Sequence, residues 1–262
     1  MSYAAKAGIS HRAPVTDLGF LIPANVYDGV SCINKFGRNP NIAIGVEEEI
    51  WDGSVAYTFP ATALMTKLNT TADIVGMRGE TVEIQGLDGN WELVTQNVVL
   101  DASNTTTLVT LETPLIRCFR MKFMSSVVGS SSITLVNDGD TALYANIEPG
   151  NNQTQMAIYT VPKYHVAYLT NYYAHVNPGT NLDPTSMPIS LWATDNANGH
   201  ARQLKHVVGL VSGGVQHNFY PYLRFTQQTD IFMSAQPVGK AADVTAGFDL
   251  VIVDSRVYGG EQ

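Results

Sequence analysis

Hydrophobic and polar residues alternate with a period of two through most of the chain after residue 60, which predicts β-strands. Residues 81–85 and 91–95 alternate in this way on either side of a turn rich in Gly and Asp, so we predict a hairpin. Further strands are predicted up to residue 149, at 107–111, 116–124 and 133–136. Short strands at this spacing are typical of an antiparallel sandwich or a small barrel.

A second run of strands follows residues 149–153, whose Pro, Gly and Asn content marks a predicted domain boundary. Segments rich in β-branched and aromatic residues lie at 156–161, 164–176 and 189–194. Residues 202–211 are predicted to form a strand with a basic outer face. Because no segment keeps a helical period for long, we predict an all-β fold with two antiparallel β-sandwich or jelly-roll-like domains, at 61–150 and 151–262.

Residues 1–60 show no regular period, because Pro and Gly interrupt every apolar run. We therefore predict an extended N-terminal arm. The arm carries too many apolar side chains to remain in water, so we expect it to lie on this chain's own body or on a neighbouring molecule. Its aromatic residues Phe36, Trp51, Tyr57 and Phe59 are the predicted interface anchors, and packing inside this chain's core is the alternative.

Composition narrows the classes of function. The 262 residues are 45% hydrophobic and 15% charged, which suits a chain with a buried core. Lys and Arg number 15 against 23 Asp and Glu, so we expect no nucleic-acid partner, which would require a basic surface. We also expect no membrane partner and synthesis in the cytosol, because we find neither a secretion signal nor an apolar stretch long enough to span a bilayer.

The sequence contains few candidate catalytic or metal-binding residues. Cys32 and Cys118 are interpreted as buried thiols outside any disulfide or zinc site. The run 47–49, three consecutive Glu, is interpreted as a solvated charge run rather than a metal or acid/base cluster. None of the six His residues has metal-ligand spacing, and no nucleophile elbow or phosphate-binding loop is found. We therefore expect no catalytic, cofactor-binding or metal-binding residues, and a protein that is not an enzyme.

Basic residues cluster in two predicted strands. Arg117, Arg120 and Lys122 lie in one, and Arg202, Lys205 and His206 in the other, whereas acidic residues include 47–49. Opposite charges of this kind can pair between copies or within one chain, and both interpretations remain open.

Two stretches resemble structural proteins of tailed bacteriophages. NKFGRNP at 34–40, GVEEEIWDG at 45–53 and YTF at 57–59 are similar to the N-terminal part of those proteins. IEPGNNQT at 147–154 and MAIYTVP at 156–162 are similar to the junction between their two β domains. The resemblance covers much of the first 170 residues and implies a virion structural protein, assembled in the host cytoplasm, whose position in the particle is open.

We predict a non-enzymatic capsid decoration, or cement, protein. In this hypothesis a homotrimer binds the major capsid protein or other virion proteins and stabilises the assembled shell by mass action. A neck, tail or fibre component is the alternative within the same class. A host-glycan-binding receptor protein is the alternative from another class, with Trp192 beside the Asp195 loop as its candidate stacking platform.

Overall fold

The computed structural model describes residues 17–53, 55–177 and 184–258, in which strands dominate and confirm the predicted all-β fold. The strands are β1 (Val30–Ile42), β2 (Glu48–Glu49), β3 (Met65–Thr70), β4 (Thr81–Asp88), β5 (Leu93–Val99), β6 (Val109–Phe123), β7 (Ile133–Val136), β8 (Leu143–Ile147), β9 (Ile158–Thr160), β10 (His165–Asn177), β11 (Met187–Asp195), β12 (Gln203–Leu210), β13 (Gly213–Phe225), β14 (Thr229–Ala235) and β15 (Ala242–Asp254). The helical segments are short: α1 (Leu18–Leu21), a 3₁₀ turn (Val75–Met77) and α2 (Ser255–Tyr258).

Two antiparallel sheets form a jelly roll. The first has the order β1-β15-β10-β13, and the second has the order β12-β11-β14, with both β2 and β9 paired to β14. Counting β2 and β9 as two halves of one strand gives four strands in each sheet. Eight strands in two facing sheets, with the chain passing repeatedly between them, form a jelly roll.

The strand formed by β2 and β9 is interrupted by a large insertion. β2 pairs with the end of β14, and β9 pairs with its earlier part. Between these pairings the backbone N–H of Ile50 donates to Met233, and that of Ala157 donates to Ile50. Residues 50–157 therefore leave the jelly roll and return to it at one point of one strand.

The insertion contains a single six-stranded antiparallel sheet, β5-β4-β6-β3-β7-β8, which we call the inserted sheet. It runs from Met65 to Ile147, inside the predicted domain 61–150. β6 contacts β8 although two strands separate them in the sheet, so the sheet is strongly curled. Its concave side is filled by apolar residues that include Ile84, Met121 and Leu135.

The core of the jelly roll follows from the period-two pattern of its strands. Along β15, Val244, Ala246, Phe248 and Leu250 are all buried, because alternate side chains of a strand point to the same face. They pack against residues of the facing sheet such as Leu191. Alternation along the sequence thus positions the hydrophobic layer between the two sheets.

The predicted N-terminal arm is wrong for residues 30–49, which form β1 and β2 of the jelly roll. β1 pairs with β15 along nearly its whole length. Its inward-facing residues include Lys35, Gly37 and Asn39, so no apolar alternation reveals the strand in the sequence. Gly37 is required there because a Cβ atom would lie 2.3 Å from the backbone oxygen of Ile50. Residues 1–16 of the predicted arm lie outside the described residues.

A buried ion pair joins the inserted sheet to the jelly roll. Arg117 of β6 donates from Nε to Asp230 of β14 at 2.8 Å and from Nη2 at 2.9 Å. Asp230 also accepts from Thr160 and Asn196, and Arg117 donates to the carbonyl of Pro60. Both charged side chains are almost fully buried, so the two parts of the molecule are tied together by a satisfied polar network.

A second polar group at this junction is held in an unusual protonation state. Burial raises the pKa of Asp52 to about 8, and burial lowers the pKa of the neighbouring Lys35 to about 7. Asp52 Oδ2 accepts from the backbone N–H of Gln155 at 3.0 Å, whereas Oδ1 has no hydrogen-bond partner among the described residues. Near neutral pH the folded protein therefore favours an uncharged Asp52.

Candidate interaction surface

The two sheets of the jelly roll end on the same side of the molecule. β12 is the end strand of one sheet and β13 the end strand of the other, and the two strands contact each other. In the described part of the chain, no strand pairs with the outer edge of either. Their outward backbone N–H and C=O groups are therefore available, which is the state in which edge strands recruit another chain.

Large apolar side chains are exposed along these two strands and the turn between them. We call this set the edge surface, and its members are Leu204 (49% exposed), Val207 (48%), Val211 (62%), Tyr220 (98%) and Tyr222 (51%). Isolated exposed apolar residues are ordinary, but a group along two open strands is typical of an interaction site.

The two tyrosines project because β13 leaves its sheet locally. Opposite β10, Asn171 faces Asn218 and Leu169 faces Leu223, so four residues of β13 stand opposite one residue of β10. This excursion carries Tyr220 and Tyr222 away from the sheet. Aromatic residues that project in this way supply most of the binding energy in many interfaces.

Basic side chains border the edge surface. Lys205 of β12 and Arg224 of β13 line a small cavity of about 110 Å³ together with His200 and Asp195. Lys205 and Arg224 are both exposed. Lys205 donates to the side-chain oxygen of Gln203, a neutral group, so its positive charge is not neutralised by that contact. The side of the jelly roll that carries the edge surface is thus apolar, with two exposed basic side chains at its border beside one Asp.

An aromatic cluster closes the interior between β12 and β13. The rings of His206 and His217 stack with centroids 4.3 Å apart, and His206 Nδ1 lies 2.7 Å from the hydroxyl of Tyr172. Burial lowers the pKa of His206, and the neighbouring His217 lowers it further. Since its pKa is lower in the folded protein, protonation of His206 at acid pH destabilises this part of the fold.

Three of the four predicted anchors pack inside this chain. Trp51 and Tyr57 are buried, with ring centroids 5.2 Å apart, and Phe59 follows in the same stack at 4.8 Å from Tyr57. Phe59 also contacts Phe232 of the jelly roll. The stack closes the core of the inserted sheet, so the core-packing alternative describes these residues. Phe36, on β1, is half-buried and lies outside the stack.

Trp192, the candidate glycan platform, is covered. The guanidinium of Arg202 lies 3.8 Å from its ring centroid, and its indole N–H donates to Ser234. Arg202 is held in turn by an ion pair with Glu47. One face of the ring is therefore occupied by a side chain of the same protein and is closed to a sugar.

The remaining candidates have structural roles. Glu47 and Glu48 hydrogen-bond to residues of this chain, and Glu49 accepts from the backbone N–H of Tyr57. Cys118 is buried as expected, and burial raises the pKa of its thiol to about 12. Cys32 is exposed, which corrects the expectation that both thiols are buried, because its position on β1 faces solvent.

The edge surface was missed by sequence reasoning, although part of its signal was present. The strand predicted at 202–211 is found as β12, and the predicted basic outer face includes the exposed Lys205. The predicted strand 202–211 also contains three apolar residues that the structure exposes, namely Leu204, Val207 and Val211. Their exposure could not be deduced, because an unpaired edge depends on which strands become neighbours.

Among the described residues, no three His, Cys, Asp or Glu side chains are grouped so that they could hold a metal ion. No helix within these ranges has the length and apolar character needed to cross a membrane. No family model, no curated protein sequence and no solved structure matches this chain.

Proposed function

We propose that this protein is a non-enzymatic structural component of a bacteriophage virion, and specifically a capsid decoration protein that binds the assembled shell. The observation that carries the proposal is the edge surface, a group of exposed apolar side chains bordered by basic residues along two unpaired strands. Such a surface is costly to leave in water and suits a protein whose role is attachment.

The fold is compatible with this role. Jelly rolls are found in viral capsids, in lectins and in cupins. Because one fold hosts many functions, the jelly roll alone does not decide among them. The edge surface favours assembly, and the cover of Arg202 over Trp192 counts against a stacking site for glycans.

The two stretches that resemble phage structural proteins meet in space. Trp51, in the first stretch, forms a β-bridge with Met156, in the second. The backbone N–H of Asp52 also donates to the carbonyl of Gln155 at 3.0 Å. The residues that carry the resemblance therefore build the point where the insertion joins the jelly roll.

Stabilisation of the shell would follow from thermodynamic linkage between binding and assembly. A protein that binds the assembled shell, and does not bind free subunits, shifts the equilibrium towards the shell in proportion to its affinity and concentration. In this proposal the jelly roll supplies the attachment surface, and the buried junction keeps the insertion in a fixed position relative to it. The major capsid protein or another virion protein is the proposed partner, and a position in the neck, tail or fibres is the alternative.

The experiment is a sedimentation assay with particles of the phage whose genome encodes this chain. Particles made with the wild-type protein, with Val207→Glu or with Ile44→Glu are purified on a density gradient and probed for the protein. Ile44 is an exposed apolar residue outside the edge surface, so it provides the matched control. We expect the wild-type and Ile44→Glu proteins in the particle fraction, and Val207→Glu in the soluble fraction. Absence of the wild-type protein from the particles would refute the proposal.

A further inference from the structure

A cleft of about 520 Å³ opens on the outer face of the inserted sheet. Leu68 of β3 and Leu135 of β7 belong to the core of that sheet. Asn69 follows Leu68 and pairs with Thr134, which precedes Leu135, so these two side chains point to the opposite face, where they line the cleft. The volume lies within the range of roughly 300–1,000 Å³ that is typical of small-molecule sites.

Uncharged polar side chains dominate the lining of this cleft. Of its ten lining residues, five are Thr, one is Asn and three are apolar, and Asp140 is the one ionisable group among them. Lys67 and Asp138 lie close by but outside the lining, and they pair with each other at 3.6 Å. Because no basic side chain lines the cleft, it lacks the groups that bind phosphate and other anions. The cleft therefore suits an uncharged ligand that is rich in hydrogen-bonding groups.

Two side chains in the cleft have hydrogen-bonding capacity that this chain leaves unused. Asn69 is 7% exposed, and its Oδ1 accepts from the hydroxyl of Thr134 at 2.6 Å. Its Nδ2 reaches the carbonyl of Thr106 at 3.5 Å. Since an amide nitrogen carries two donors, at least one N–H of Asn69 is left for a ligand. Asp140 is exposed, and within the described ranges its carboxylate accepts no hydrogen bond.

The turn that carries Asp140 is held in place by Asn137. The side-chain oxygen of Asn137 accepts from the backbone N–H groups of Thr141 and Ala142 at 2.8 and 3.1 Å. Its amide nitrogen donates to the hydroxyl of Thr141 at 2.8 Å, so that hydroxyl keeps its own proton for another acceptor. A turn fixed in this way pays little ordering entropy when a ligand binds.

We propose that this cleft binds a neutral carbohydrate. Each sugar hydroxyl both donates and accepts, which matches the free N–H of Asn69, the free proton of Thr141 and the carboxylate of Asp140. The C–H groups of a sugar ring pack on Val136 and Leu143, which belong to the apolar part of the lining. The inference goes beyond the proposed function, because attachment uses the edge surface of the jelly roll and this cleft belongs to the inserted sheet.

The test is a glycan array, carrying neutral and acidic glycans, that is probed with the purified full chain. The protein is coupled to fluorescent beads, because many copies binding together make weak binding detectable. Asp140→Gly removes the carboxylate, and glycine tolerates the φ of 51° at this position. Asp138→Gly makes the same change in the same turn outside the cleft, and is the matched control. Ala142→Phe fills the cleft, and thermal melts verify that each variant is folded.

We expect the wild type and Asp138→Gly to bind a set of neutral glycans. In titrations with a free glycan from that set, Asp140→Gly should bind about tenfold more weakly, as expected for the loss of a hydrogen bond to a charged group. Ala142→Phe should not bind. Binding of no neutral glycan, binding of acidic glycans alone, or wild-type affinity in Asp140→Gly would each overturn the inference. Asp140→Gly should still enter the particle fraction in the sedimentation assay, so failure of this inference is distinguishable from failure of the proposed function.

Discussion

The junction between the insertion and the jelly roll contains the same residue types as the edge surface, but it buries them, whereas the edge surface exposes them. At the junction, Arg117 is buried between the rings of Phe59 and Trp91 and paired with Asp230. At the edge, Arg224 and Tyr220 are exposed. Arginine and aromatic rings hold the molecule together in one place and are free to contact a partner in the other.

This difference separates residues that stabilise the fold from residues available for assembly. A buried, hydrogen-bonded side chain cannot contact a partner without unfolding its own surroundings. An exposed apolar side chain on an unpaired strand contributes little to the fold, and its burial by a partner is favourable. Substitutions at the junction should therefore lower the free energy of unfolding, and substitutions at the edge should change association.

Arg117→Met should have the largest effect. It leaves the carboxylate of Asp230 buried without its partner charge, which costs about 3–5 kcal/mol in comparable cases. The measurement is urea unfolding followed by circular dichroism. Arg120→Met is the control on the same strand, because Arg120 is half-buried and, within the described ranges, donates only to the backbone oxygen of Asn34. Equal stability of the two variants would show that the ion pair does not hold the junction.

Trp51→Ala should also destabilise the protein, by about 3–5 kcal/mol, because it empties a fully buried site in the aromatic stack. Tyr220→Ala, the same type of truncation on the edge surface, should change stability by no more than about 0.5 kcal/mol. Thermal melts of both variants measure this difference in stability directly. A stable Trp51→Ala protein would mean that this ring is not part of the core after all.

Asp52→Asn should have a smaller effect that depends on pH. The pKa of Asp52 rises from its ordinary value near 4 to about 8 on folding, so the folded state binds more protons than the unfolded state between these values. The wild type therefore loses stability from this group as pH rises from about 4 to about 8. The variant should melt at a higher temperature than the wild type at pH 8, with a gap that narrows towards pH 4. A gap independent of pH would contradict the proposed protonation state.

Val207→Glu should change the free energy of unfolding least, by no more than about 0.5 kcal/mol, because half of this side chain is exposed and a surface substitution rarely costs more. The same substitution should reduce binding of the protein to the particle, measured by the sedimentation assay, since it adds a buried charge to the proposed contact. Unchanged association together with unchanged stability would show that the edge surface is not part of the interface.

The sequence was sufficient to predict the strands in which apolar and polar residues alternate clearly. The hairpin of β4 and β5 follows from period-two patterns whose apolar positions face a core. β1 was missed because it faces the junction with Lys35 and Asn39 instead of apolar residues. Local pattern predicts that a segment is extended, and only the partners of that segment show whether it belongs to a sheet.

Neither the interrupted strand nor the edge surface could be predicted from the sequence, and the reason is the same for both. β2 and β9 become one strand only because both pair with β14, and nothing in their own residues records that pairing. Arg117 and Asp230 are 113 residues apart, so their contact could not be deduced from spacing. The four aromatic residues were predicted to be interface anchors, but whether an aromatic ring anchors a core or an interface depends on what covers it.

The most direct measurement is the copy number of this protein in purified virions, by quantitative mass spectrometry against the major capsid protein. We expect a copy number of the same order as that of the capsid protein, because a decoration protein repeats with the symmetry of the shell. A few copies per particle would favour the neck, tail or fibres instead of the shell. Absence of the protein from the particle would contradict a structural role in the virion.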